Sequence, residues 1–460
     1  MNIYLHVEIS KRELDSKILL AVIAAAKGHQ VVISDLATIK GAIKYKALTP
    51  GIFHTKSLTP NDEKIATHQF ISDNNFLITS IDEEGGLLKR GYNEFAKERY
   101  SENLVNQSSA IFCWGPEDEK TLKKIYEKFS SKIHKTGSPR ADLWRSDFLE
   151  YWNEPAAIPK KPFLLISSNL YLANYIKPFH QWIGFKSIKF KKGMKYFQND
   201  PELFKKQFYN VAEDYQKLAA FVEAIQYLSD NNNGYDIVIR PHPLENIQTW
   251  KIYLQGLKNV HVTNEGSINW WVNNSFAVMH NSCTTALEAT ISKKSLVTYI
   301  PFKQNYSWEI PNELGYKVET LSDLLNKIND IYKNFKNSKV NVSEFEIPKV
   351  IHEKIYFDEK ELSANKIIKI WETLEDHNNF KPINIFKLKM FLKLKNLKNI
   401  FFKLLRSFSI YNSNSLTEDI KFSKLNEDDI QKRVKKLQNI LGIKKNLRCE
   451  VLSKRTILIK

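Results

Sequence analysis

The chain has 460 residues, of which 43% are hydrophobic and 12% aromatic. That composition builds packed cores, excludes a globally disordered chain, and at this length allows two or three domains. Its 68 Lys and Arg against 51 Asp and Glu leave a formal charge of +17, which favours an anionic partner (nucleic acid, an acidic membrane surface or a phosphorylated substrate) without choosing among them.

In chain order, "NIYLHVEI" reads as a strand, "RELDSKILLAVIAAAKG" as a helix closed by Gly28, and "QVVISD" as a strand. "NDEKIATHQFISDN" is helical; "FLITSI" and "SAIFCWG" are strands, "PEDEKTLKKIYEKF" opens a helix on Pro116, and "KIHKTGS" is a strand and turn. After the Pro/Lys-rich break "NEPAAIPKKP" the alternation restarts: "FLLISSN", "YDIVIRP", "NVHVTN", "FAVMHNS" and "SLVTYIP" are strands between helical segments. Such βαβ alternation implies parallel sheets covered on both faces. The α/β chain therefore divides into a domain at 1–155, a second at 156–375 whose last helix crosses back to the first, and a basic helical tail at 376–460.

The tail segment "KPINIFKLKMFLKLKNLKNIFFKLLRSFSI" holds eight Lys or Arg and no acid. At helical spacing Phe386, Met390, Leu394, Leu397, Phe401, Leu404 and Phe408 share one stripe. Residues 380–410 are thus a candidate contact with an anionic membrane surface; the alternative is a stripe packed on the protein body. The N-terminus lacks the layout of a secretory leader, and "ILLAVIAAA" is too short to span a bilayer. Cys113, Cys283 and Cys449 are widely spaced and form neither a disulfide framework nor a zinc ribbon. A cytoplasmic protein, peripheral at a membrane, is the expectation. No nucleic-acid motif accompanies the charge.

Three loops carry candidate chemistry. In "VIRPHPLEN" a strand ends on Arg240, and Pro241 and Pro243 restrict His242 from both sides, for a plain turn or for an imidazole aimed at a ligand. In "HNSCTTALEA" a strand gives way to His280, Asn281, Ser282, Thr284 and Thr285 at the start of a helix, where hydroxyls and unpaired N–H groups either cap the helix or seat a phosphate. In "FLITSIDEEGG" the acids Asp82, Glu83 and Glu84 precede two glycines that permit a tight turn: a solvated acidic turn, or a carboxylate able to take a proton from an attacking hydroxyl. No second ligand cluster supports a metal there.

Taken in order, "DEEG", "RPHP" and "SCTT" resemble the three motifs of bacterial sialyltransferases and the related Kdo and polysialic acid transferases. The opening segment, "DEEG" and "TGSPRADLW" are similar to the bacterial surface carbohydrate biosynthesis proteins, over residues 1 to 375. The resemblance implies a GT-B fold, two Rossmann-like doubly wound domains facing a cleft. It implies transfer of an acidic sugar of nonulosonic acid or Kdo type from a CMP-activated donor to a glycan or lipid-linked glycan acceptor at the inner face of the cytoplasmic membrane, with no metal and no cofactor. Carried over by motif, Glu84 is the general base, with Glu83 as the alternative register. His242 binds or protonates the donor phosphate. Ser282, Thr284 and Thr285 hold that phosphate, with Arg240, Pro243, His280 and Asn281 around it. Two further readings stay open: another donor, such as CDP-glycerol or an NDP-sugar, and a non-catalytic glycan-assembly protein of the same fold.

Overall fold

The computed structural model describes residues 1–176, 201–232, 234–306, 308–337, 347–358, 360–375, 381–407, 422 and 424–460. These residues form two compact units: one of Met1–Leu87, Gly91–Leu143 and Lys349–Lys460, the other of Leu88–Arg90 and Trp144–Pro348. From sequence the chain is expected to divide near residues 155 and 375; the described residues from Lys349 onward group with the N-terminal ones.

The first unit is built on β1 (Asn2–His6), β2 (Gln30–Ser34), β3 (Ile52–Thr55), β4 (Leu77–Ile81), β5 (Ala110–Cys113) and β6 (Ile133–Lys135), all parallel, in the order β2-β1-β3-β4-β5-β6. Nearly all their side chains are buried, as expected of strands covered by helices on both faces. The second unit carries β7 (Phe163–Ser167), β8 (Asp236–Arg240), β9 (Val260–Val262), β10 (Ala277–His280), β11 (Leu296–Tyr299) and β12 (Tyr316–Val318) in one parallel sheet. Its order, β9-β8-β7-β10-β11-β12, is third-second-first-fourth-fifth-sixth, the doubly wound order whose switch point lies between its first and fourth strands.

The tail is helical, as expected, and it also carries two strands. A hairpin of β13 (Cys449–Ser453) and β14 (Thr456–Ile459) adds antiparallel to the free edge of β2, giving the first sheet eight strands. Buried Leu388 and Leu392, on the helix Ile385–Ser407, join Tyr4, Phe53, Ile78 and Leu458 in one core. The helix Glu427–Ile440 buries Ile430, Val434 and Leu437 in turn. The tail therefore caps a sheet edge and fills a core, two ways of hiding apolar surface and unpaired strand groups. No described helix is long and apolar enough to cross a membrane.

Candidate functional site

Ligands of open α/β sheets bind beyond the carboxyl ends of strands at the switch point. In the second unit that point is the end of β7, where Ser167, Ser168 and Asn169 follow one another. The loops after β8 and β10 stand on either side of it, since β7 lies between those strands, and its three polar residues tie both. Ser167 Oγ donates to Thr285 Oγ1 at 2.9 Å and Asn169 Nδ2 to the Ser282 carbonyl at 3.0 Å. Ser168 Oγ donates to Glu245 Oε1 at 2.9 Å.

Glu245 is the anchor of the "RPHP" loop. Its buried carboxylate also accepts from the backbone N–H groups of Leu170 (3.0 Å) and His242 (3.1 Å) and from Trp250 Nε1 (2.8 Å). Burial pushes this carboxyl above its ordinary range while the donors pull the other way. His242 is half-buried, and its Nδ1 accepts from the Leu244 N–H at 3.2 Å. With Nδ1 accepting, the network assigns the ring proton to Nε2. Burial lowers the pKa of this imidazole to about 4, so near neutrality it is an uncharged Nε2–H donor. The Tyr171 ring lies 5.4 Å from it, centroid to centroid.

The other expected residues fall on both sides of the protein surface. Pro243 and Thr284 are exposed. Ser282 is buried with a left-handed φ of 52°, a conformation costly for a residue with a side chain. Asn312 holds it there: Asn312 Oδ1 accepts the Ser282 N–H at 2.6 Å and Asn312 Nδ2 donates to Ser282 Oγ at 3.0 Å. Thr285 is buried under Ser167. His280 is fully buried, with a pKa lowered to about 3 by burial. Because Thr298 Oγ1 gives its proton to the Leu314 carbonyl, His280 Nε2 must donate to Thr298. Asn281 Nδ2 donates to the Tyr299 carbonyl at 2.7 Å. Arg240, expected around the donor phosphate, donates through its guanidinium to the carbonyls of Glu265 (2.5 Å) and Gly266 (3.0 Å) and lies over the Trp271 ring. In the second unit, His242 and Thr284 are thus the expected residues with polar side-chain atoms beyond the core.

In the first unit the "DEEG" loop leaves the carboxyl end of β4. Asp82 is buried and takes a bidentate pair from Arg99 at 2.8 and 2.9 Å, while its Oδ1 accepts the Glu84 N–H at 3.0 Å. Glu83 is buried and ion-paired with Lys17, and its carbonyl accepts from Arg140 at 3.2 Å. Glu84 keeps 44% of its side chain exposed, between Arg99 at 3.0 Å and Arg12 at 3.4 Å. Mutual repulsion among three acids is thereby relieved by three cations. A Cβ on Gly86 would sit 2.4 Å from the Tyr92 ring, so the second glycine answers to packing. Sequence reasoning missed Lys17, Arg12 and Arg99, and missed Ser167 to Asn169 and Glu245. The only available signal was that "SSN" and "LEN" follow strand ends.

Two Rossmann-like doubly wound units in one chain define the GT-B class of α/β proteins. No family model matches the chain, and no curated protein matches it. Among solved structures, a Listeria monocytogenes protein described as a UDP-N-acetylglucosamine 2-epimerase matches 82% of this chain and 97% of its own at 12% identity, with a TM-score of 0.50. The UDP-GlcNAc 2-epimerase of Methanocaldococcus jannaschii covers 81% and 100% at 11% identity and 0.47. The wall teichoic acid polymerase TagF covers 74% and 86% at 10% identity and 0.41. At such identities the likeness to the Listeria protein speaks to the fold.

Proposed function

We propose that the protein is a glycosyltransferase that moves an acidic sugar of nonulosonic acid or Kdo type from a CMP-activated donor to a surface-glycan acceptor, lipid-linked at the inner face of the cytoplasmic membrane. The observation that carries the reading is the end of β7, where "SSN" ties the His242 loop to the 280–285 loop and the network makes the imidazole a fixed neutral donor. As the glycosidic bond breaks, charge grows on the departing phosphate. A donor fixed beforehand stabilises that charge more than it stabilises the ground state. His242 acts in this reading by donating from Nε2, not as an imidazolium acid. Thr284 supplies a hydroxyl to the same phosphate. Ser282, Thr285, His280 and Asn281 shape the loop from within, and Arg240 braces it. Glu84, the exposed acid of its trio, takes the proton from the acceptor hydroxyl.

A second reading takes its support from the neighbours' names: a UDP-sugar enzyme on the same fold. Calorimetry with CMP, CDP and UDP, followed by transfer assays with CMP-sialic acid and CMP-Kdo, separates the two. CMP binding tightest, with turnover of a CMP-sugar, is the expected result; preference for UDP would sink the donor assignment. CMP binding without turnover would leave a non-catalytic glycan-assembly protein. His242→Ala is expected to lower kcat/KM roughly a hundredfold, with His242→Gln, which keeps an N–H donor, losing less. With a pKa of about 4, His242 stays neutral as pH falls from 7 to about 5. Loss of turnover as pH rises through about 6.5, abolished by His242→Gln, would show an imidazolium acid instead.

A further inference from the structure

The helix Ile385–Ser407 buries one stripe and leaves another uncovered. Leu388 and Leu392 enter the core of the first unit, and Phe391 packs over Gly41, where an added Cβ would lie 3.1 Å from its ring. Lys389 pairs with Glu450 and Lys395 reaches Asp35, so the helix is fixed in rotation. Its outward face then presents Phe386, Met390, Leu394, Leu397 and Ile400, from 49% to 77% exposed. Over those fifteen positions the ridge runs about 21 Å. Phe401 and Leu404, also expected on this stripe, have side chains outside the described residues, as does Phe408 as a whole. Among the described residues, the stripe expected to meet either a membrane or the protein body is left bare; its neighbour does the packing.

Scattered exposed apolar residues are ordinary, but five in a row along one helix are not. Exposed Lys387 and Lys393 flank or interrupt the ridge, and the segment 381–410 contains no acid. A second copy of this helix would bring like charges together with no carboxylate to meet them. A bilayer with anionic headgroups matches both features, taking the apolar ridge into its boundary and the lysines against its phosphates. We infer that this face of the Ile385–Ser407 helix lies on an anionic membrane surface, the ridge inserted and the lysines around it at headgroup level. The inference goes beyond the transfer reading and does not rest on it.

The test is co-sedimentation of the full chain with phosphatidylcholine vesicles and with mixed phosphatidylglycerol/phosphatidylcholine vesicles, with neither donor nor acceptor present. The chain is expected to bind only the mixed vesicles and to be released by salt. Lys387→Glu with Lys393→Glu should weaken partition roughly thirtyfold or more, and Phe386→Ser with Leu394→Ser should weaken it as well. All four side chains point outward, so both variants should keep the parent melting temperature, which calorimetry checks. No binding to mixed vesicles, unchanged binding by both variants, or a dimer in sedimentation velocity that the serine variant splits would each overturn the inference. CMP binding and transfer to a soluble acceptor are read separately, so either result can fail without the other.

Discussion

At the end of β4, Glu83 is buried against Lys17 while Glu84, one residue on, keeps almost half its side chain in solvent beside Arg12 and Arg99. In the proposed reading a base must reach its proton directly or through one water, which the exposed carboxylate of Glu84 can do and the buried one of Glu83 cannot. The two glutamine variants should therefore fail differently. Glu84→Gln should cut kcat by about a hundredfold to ten-thousandfold with an unchanged melt and unchanged CMP affinity. Glu83→Gln leaves a buried ammonium without its carboxylate, a defect costing about 3–5 kcal/mol, so urea unfolding should show it while the surviving folded enzyme still turns over. Full transfer by Glu84→Gln would remove the base assignment. In the sequence the register is undecided, since three consecutive acids are chemically alike. What separates them is a lysine sixty-six positions away, whose nearness depends on the packing of the first helix against the sheet.

"TGSPRADLW" shows what the same blindness does to whole elements, because as sequence it is a turn and a helix start, and that much is present: Ser138 accepts from the Arg140 N–H. Its larger role is to dock the returning chain. Gly137, at a positive φ of 77°, would place a Cβ 2.4 Å from Ser363 Oγ and 2.5 Å from the Tyr356 carbonyl. Asp142, fully buried, accepts from Ser363 N–H and Oγ and from the Ala364 N–H at 3.0 to 3.1 Å. It thus caps the helix Ser363–Glu375 from 221 residues away. Asp142→Ala should cost about 3–5 kcal/mol, since bonds to a charged acceptor are worth about 1.5–3 kcal/mol each and the donors stay buried. Asp142→Asn, keeping one acceptor oxygen, should cost about half. Chemical denaturation of the first unit measures both, and a change within 1 kcal/mol for Asp142→Ala would deny the cap its role. Strands with long apolar runs, such as β1, β4, β7 and β10, are legible from sequence for the reason caps like this are not: burial on both faces writes itself locally. β3, "IFHT", hides behind His54, a polar residue buried in the strand, whose Nδ1 pairs with Thr79 Oγ1 on β4 at 3.0 Å. β12 has two exposed residues and no apolar run. The order of strands, which puts β7 between the two candidate loops, is written in no single segment.

Across the whole molecule, the described residues of the C-terminal eighty both complete the first unit and expose an apolar ridge. Composition marks them as a basic amphipathic tail, which is accurate for the ridge of the Ile385–Ser407 helix. The antiparallel pairing of β14 with β2 joins Ile457 to Ile33 and Leu458 to Val32, a contact between the two ends of the sequence that no local pattern announces. A chain cut after residue 379 would lose buried Ile383, Leu388, Leu392, Ile430, Val434, Leu437, Ile457, Leu458 and Ile459. At about 1.5–3 kcal/mol for each fully buried aliphatic side chain, that is comparable with or larger than the 5–15 kcal/mol by which a domain is ordinarily stable. It would also open the β2 edge to pairing with other chains. The truncated protein is therefore expected to aggregate, not merely to leave the membrane fraction. Expression of residues 1–379 beside the full chain, followed by size exclusion and calorimetry, checks this. A monomer with a melting temperature close to the parent's would show that the tail only decorates a self-sufficient unit, and the outward-facing serine and glutamate variants remain the way to ask about the membrane without asking about the fold.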